Sequence, residues 1–193
     1  MPVGTLAERL EDRFHVLTSG SRTALPRQQT LRALVDWSYN LLSEREQMVL
    51  NRLSVFSGGW SLEAAEAVCA TDTVESWEVA DLLSALVEKS LVTFDPHRTF
   101  KPYYLLETIR QYGQEKLNSA AGDEATRLRH VDYYVRLVRM TWEQVNTFRS
   151  FTEYELRRLT EDSENLFSAF DWCGQDPSRL ELSLTFGACL FWV

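Results

Sequence analysis

Cysteine is scarce in this 193-residue sequence, which holds only Cys69, Cys173 and Cys189 and no CxxC pair. An odd, scattered set argues against a disulfide framework and against structural zinc, and leaves reduced, buried thiols as the expectation. Histidine is as sparse. His15, His97 and His130 stand far apart, outside any HxxxH or HExxH spacing, so no metal-ligand pattern arises. Glycine (8 residues) and proline (5) are few, which excludes collagen-like and low-complexity chains. No apolar run reaches the roughly 18 residues that cross a bilayer. Met1 to Leu10 lacks a basic stretch followed by an apolar one, so no secretory signal is expected. A cytoplasmic protein with no membrane partner is the expectation. Basic charge is short too: 20 Lys+Arg stand against 28 Asp+Glu, a formal net charge of −8. Phosphate recognition draws on a basic surface, so this balance disfavours nucleic acid.

Catalytic signatures are missing as well. There is no GxxxxGK[ST] loop to cradle a triphosphate and no GxSxG elbow. Gly58-Gly59 lacks both the lysine and the spacing of a phosphate loop and reads as a turn after Phe56. No pairing of nucleophile and base emerges, and the chain is not expected to be an enzyme. Glu161, Asp162 and Glu164 read as a solvated helix face before Asn165.

What is present is helical periodicity. Leu6, Leu10 and Phe14 form one apolar stripe, and residues 28–42 resume the pattern after a loop ending at Pro26. Ser43 followed by Glu46 is a capping box, which starts a helix at Glu44 carrying Met48, Val49, Leu50 and Leu53 inward. Ser61 opens a short helix, Leu62 to Cys69, and Glu75 to Lys89 carries Trp77, Leu82, Leu83, Leu86 and Val87 at helical spacing. Leu91 to Phe94 is β-branched and aromatic, Asp95-Pro96-His97 turns, and Tyr103 to Leu106 returns, so a hairpin is expected with His97 at its tip. Three helices followed by a hairpin is the order of a winged helix. Beyond Gly122 longer helices follow: Glu124 to about Phe148, Glu153 to Cys173, and a third from Leu180. Paired helices of this length point to the opening of an antiparallel, tetratricopeptide-like array.

Charge qualifies that reading. Residues 1–60 carry 7 basic and 6 acidic groups, residues 61–121 carry 5 and 10, and residues 122–193 carry 8 and 12. The third helix, which a DNA reader lays in the major groove, holds Glu75, Glu78, Asp81 and Glu88 against Lys89 alone. On charge, protein contact is expected for this segment and nucleic acid is an unlikely partner.

Longer strings carry a resemblance. Leu17-Thr18-Ser19-Gly20-Ser21-Arg22-Thr23-Ala24-Leu25-Pro26-Arg27-Gln28-Gln29-Thr30-Leu31 leads to Asp36-Trp37-Ser38-Tyr39-Asn40-Leu41-Leu42-Ser43. Arg52-Leu53-Ser54-Val55-Phe56-Ser57-Gly58-Gly59-Trp60-Ser61-Leu62 follows, and then Leu86-Val87-Glu88-Lys89-Ser90-Leu91-Val92 and Tyr104-Leu105-Leu106-Glu107-Thr108-Ile109-Arg110-Gln111-Tyr112. These resemble bacterial STAND-type signalling ATPases, the large LuxR-type and AfsR-type regulators, over residues 6–120. Residues 122–193 resemble the start of the repeat array in the same proteins. The resemblance implies a helical lead-in at 1–42 (the end of the small helical domain of an NB-ARC-type module), a winged helix at 43–120 and the start of the array at 121–193. It also implies an upstream nucleotide-binding domain outside this chain. No cofactor is then held here, and ATP or ADP binds elsewhere in the parent protein. In many relatives a Met-His-Asp motif touches the nucleotide. Here it falls on Leu105-Leu106-Glu107, with leucine in place of histidine, and Glu107 and Arg110 become candidates for an interdomain switch. The function this implies is regulatory: coupling nucleotide state to partner recognition. Direct DNA binding by the winged helix and a helical adaptor without an ATPase are the alternatives. The chain ends on Phe191-Trp192-Val193 without a polar residue after it, which reads as the middle of a longer protein.

Overall fold

The computed structural model describes residues 26–119, 123–148 and 152–179, together with 183, 184 and 187. The Leu6–Leu10–Phe14 stripe, Cys189 and most of the helix expected from Leu180 lie outside the described residues. The elements run α1 (Pro26–Asn40), α2 (Glu44–Leu53), α3 (Leu62–Cys69), α4 (Ser76–Glu88), β1 (Thr93–Phe94), β2 (Tyr103–Tyr104), α5 (Glu107–Ser119), α6 (Asp123–Phe148), α7 (Glu153–Glu161) and α8 (Ser163–Gly174), followed by a 3-10 turn at Pro177–Arg179. The architecture is mostly helical. The chain divides into two compact units, Met1–Gln47 and Met48–Val193.

In the first unit, α1 buries Val35 and Tyr39 and leaves Leu34 and Trp37 exposed. The capping box forms as the sequence dictates. The Ser43 N–H donates to Glu46 Oε2 at 2.7 Å and the Glu46 N–H donates to Ser43 Oγ at 3.3 Å. Two of the orphan donors at the start of α2 are thereby satisfied.

In the second unit the winged-helix core is mostly apolar: Val49, Leu50, Leu53, Val68, Val79, Leu83 and Leu86 are essentially fully buried, and the buried Ser54 hydroxyl donates to the Asn51 carbonyl at 2.6 Å. Val49, Leu50, Leu53, Leu83 and Leu86 stand at the expected helix-spaced positions, whereas Met48, Leu82 and Val87 are only half-buried and Trp77 is exposed. Ser61 caps α3, its Oγ accepting from the Ala64 N–H at 3.2 Å. The other end of α3 meets two guanidinium groups: Arg52 donates to the Cys69 carbonyl at 2.6 Å and Arg129, from α6, to the Val68 carbonyl at 2.8 Å. Cations there satisfy orphan carbonyls and complement the helix dipole. Just beyond α4, Ser90 takes a φ of 58°, which lets the Leu91 N–H reach the Leu86 carbonyl at 3.0 Å.

The hairpin is antiparallel, with Thr93 opposite Tyr104 and Phe94 opposite Tyr103. Trp60 joins its edge: its N–H donates to the Tyr103 carbonyl at 2.9 Å and its carbonyl accepts from the Tyr103 N–H at 3.3 Å. His97 is exposed at the tip, where its N–H donates to Asp95 Oδ1 at 3.0 Å. Helix α3 packs on both α4 and α6, and α6 packs on α8.

One helix departs from expectation. The span Glu153 to Cys173 is not continuous but breaks at Asp162, which closes α7 and opens α8 with φ −85° and ψ 2°. The break turns Asp162 inward, where its side chain meets Tyr134. Periodicity alone favours one helix and carries no signal for this break.

Candidate functional site: the winged helix and its clamp

The surface that a winged helix presents is made by α4 and the hairpin. On α4, Ser76, Trp77, Asp81, Ser84 and Glu88 are exposed, Trp77 at 71 %. Glu78 is half-buried because its carboxylate accepts from the Glu75 N–H at 2.9 Å and closes the first turn of α4. The hairpin contributes Arg98, whose guanidinium sits 4.7 Å from the centre of the Tyr104 ring and donates to the Gly58 carbonyl at 3.0 Å. Lys101 lies behind it, 3.3 Å from Glu164 of α8.

Behind this surface lies a buried polar cluster that joins the winged helix to the helices after it. Asn165 is fully buried on α8. Its Oδ1 accepts from the Ser57 N–H at 2.6 Å and its Nδ2 donates to the Gly59 carbonyl at 2.7 Å. The clamped turn needs glycine. Gly58 and Gly59 have φ of +84° and +146°, and a Cβ on Gly59 would meet the Tyr103 carbonyl oxygen at 2.8 Å. Beside Asn165, Phe56 stacks on Trp60 at 5.2 Å and meets the His130 ring edge-on at 5.0 Å. Burial lowers His130 to about 4, so the ring is neutral at pH 7. Tyr134 donates to Asp162 at 3.4 Å, and burial raises Asp162 to about 6 against the pull of Lys101 and Arg158.

Of the residues singled out from sequence, Glu107 and Arg110 come together, but with each other. Arg110 donates to both carboxylate oxygens of Glu107, at 2.8 and 2.7 Å, in the first turn of α5. Leu106 is 57 % exposed. The acidic stretch expected to be a solvated face is corrected: Glu164 is exposed, but Asp162 is buried inside the cluster. Asn165 was missed, since its partners lie 106 and 108 positions away in sequence. Gly58-Gly59, read only as a turn, was the one local signal at that place. Among the described residues, no group of His, Cys, Asp or Glu is arranged to hold a metal ion, and no helix is long and apolar enough to cross a membrane.

Residues 42–118 match the family of the winged helix-turn-helix domain. A protein of Mycobacterium tuberculosis strain H37Rv named "Putative HTH-type transcriptional regulator" is 41% identical over 168 residues, covering 86% of this chain and 18% of its own length. A Mycobacterium bovis protein with the same descriptive name matches equally. An uncharacterized M. tuberculosis protein is 38% identical over 130 residues, covering 67% of this chain and 33% of its own length. The chain therefore spans about a fifth of the length of the regulators it matches. No solved structure matches it.

These matches overturn the expectation that nucleic acid is an unlikely partner of this segment. That expectation rested on the net charge of −8, the acidic balance of residues 61–121 and the acids along the third helix. Such counts ignore position: Glu78 closes the helix's own first turn, and Arg98, one of the five basic residues of 61–121, is exposed on the wing.

Proposed function

We propose that residues 42–118 are the DNA-contacting winged helix-turn-helix of a transcriptional regulator. The observation that carries this reading is the three-helix-plus-hairpin architecture over the residues that match the domain family. In such a domain the third helix enters the major groove and its N-terminal residues meet base edges. Here that end offers Ser76 and Trp77, a hydroxyl and a large ring, with Arg98 on the wing as a phosphate contact. Exposed cations are few, so two or three phosphates are contacted, giving a slope of log K against log salt of about −2 to −3. Affinity from one copy is modest, and tight binding comes from a second copy or a second contact in the parent protein. A cytoplasmic location goes with this reading.

The test is fluorescence anisotropy of a labelled duplex pool at low salt, followed by selection of bound sequences. Binding with that slope, and enrichment of a common sequence, is expected. No binding at about 20 mM salt removes the reading.

A finer reading concerns the parent protein. The long strings resembling STAND-type regulators, and relatives about five times the length of the matched segment, support an ATP- or ADP-binding domain outside this chain. In that reading the winged helix and a repeat array starting near residue 121 transmit nucleotide state to protein partners, with Glu107 and Arg110 at the domain boundary. Nucleotide titration of the full-length parent tests it. Affinity in the parent that shifts with Arg110→Ala is expected, and a parent that binds neither nucleotide removes it.

A further inference from the structure

Two hollows flank α7 and share three residues, Glu63, Tyr154 and Arg158. One, of about 490 Å³, runs between α3, α6 and α7 and is walled by Tyr133, Leu137 and Met140. The other, of about 310 Å³, runs toward the wing past Phe100 and Pro102. Volumes of this order suit small organic ligands; the wall of the first hollow is mostly apolar and that of the second more polar. Met140 and Tyr154 are about 60 % exposed at the rim, 61% and 59%.

The charged groups divide into engaged and available ones. Arg136 is held by Asp132. Glu155 accepts from the Thr152 N–H and hydroxyl at 2.8 and 2.9 Å, capping α7. Arg158 is different: it acts on Glu63, Asp162 and Tyr134 through charge, and among the described residues no hydrogen bond engages its guanidinium. Glu63 stands at the same junction, held ionised by the Ser61 hydroxyl at the start of α3. A donor fork and a carboxylate thus sit together where two partly apolar hollows meet.

We infer that this junction binds a zwitterion with an apolar side chain, a free amino acid or a short peptide. Its carboxylate takes the Arg158 guanidinium, its ammonium takes Glu63, and its side chain lies along Tyr133, Leu137 and Met140. Neither Glu63 nor Arg158 belongs to the surface assigned to DNA, so this site stands or falls independently of the DNA reading. Its consequence for the winged helix runs through Asp162. A bound carboxylate weakens the influence of Arg158 on Asp162, the neighbour of Asn165 in the clamp on the Ser57–Gly59 turn.

The test is isothermal titration of the chain with L-phenylalanine and with the dipeptide Phe-Leu, beside phenylpropionate (no ammonium) and phenethylamine (no carboxylate). Saturable binding of at least one zwitterion with a Kd of about 1 mM or tighter is expected. Whichever zwitterion binds more tightly names the source. Both single-charge analogues are expected to bind at least about tenfold more weakly, and Arg158→Gln and Glu63→Gln each to weaken the zwitterion about tenfold. Arg157→Gln, which removes an exposed partner of Glu161, is expected to change it less than about twofold. Should Arg158→Gln fail to fold, Glu63→Gln gives the same reading. The inference is overturned if neither zwitterion saturates, if the single-charge analogues bind equally well, or if binding survives both variants.

Discussion

The winged helix and the helices that follow it are held by different forces. Within the winged helix, burial is mostly of hydrocarbon: Leu50, Leu53, Val79, Leu83 and Leu86 fill the core and need no partner beyond one another. Where α6 and α8 meet the Ser57–Gly59 turn, burial is of polar groups: His130, Asp162 and Asn165 are all nearly inaccessible. Apolar burial is tolerant of small shifts, because it scales with area. A buried amide is not, because a displaced partner leaves an unsatisfied group costing about 1–3 kcal/mol. The first region gives stability. The second gives a defined position of the trailing helices on the winged helix.

Substitutions can break that contrast. The largest effect is expected from Leu83→Ala, which removes a fully buried side chain from α4 and costs about 4 kcal/mol, read from urea unfolding. A leucine-to-alanine change that costs under about 1 kcal/mol contradicts the packed core.

Acid titration separates the two regions more sharply. Unfolded, His130 titrates near 6.5; folded, burial holds it at about 4. As pH falls between those values the unfolded chain takes up a proton that the fold refuses, so stability drops. Asp162 runs the other way. Its folded value of about 6 exceeds the ordinary 3.8, so the fold takes up a proton first and stability rises as pH falls through that window. Each shift is worth about 3 kcal/mol, and the wild type is expected to be nearly flat between pH 6 and 4 as far as these two groups decide it. Asp162→Asn is expected to lose about 2 kcal/mol over that range, and His130→Phe to gain a similar amount. Parallel curves for the two variants contradict the assignment.

Asn165→Ala is expected to cost about 2 kcal/mol, since the Ser57 N–H and Gly59 carbonyl lose their buried partner. Hydrogen exchange sharpens this: Ser57 is expected to lose protection while Leu83, in the apolar core, keeps it. The smallest effect belongs to Arg110→Ala. Its pair with Glu107 is partly exposed and one turn apart, so under about 0.5 kcal/mol is expected.

The same contrast explains what the sequence reveals. Helices α2, α3 and α4 follow from apolar spacing and from Ser43, Glu46 and Ser61, because a cap and a stripe are local signals. The hairpin follows from its β-branched and aromatic run and the Asp95-Pro96 turn. Long-range polar contacts have no such signature. Asn165 looks like any helical asparagine until the Ser57–Gly59 turn is folded against it, and Asp162 looks like its solvated neighbours Glu161 and Glu164. The acidic character of α4 misled for a related reason: composition counts carboxylates without saying which of them, like that of Glu78, already serve the helix itself.

The central claim is that residues 42–118 contact DNA, and anisotropy of a labelled duplex pool against salt concentration tests it most directly. Binding at about 20 mM salt that weakens with a slope of about −2 to −3, and a slope smaller by about one for Arg98→Ala, is the expected result. Absence of binding at low salt, or binding that ignores salt, contradicts it.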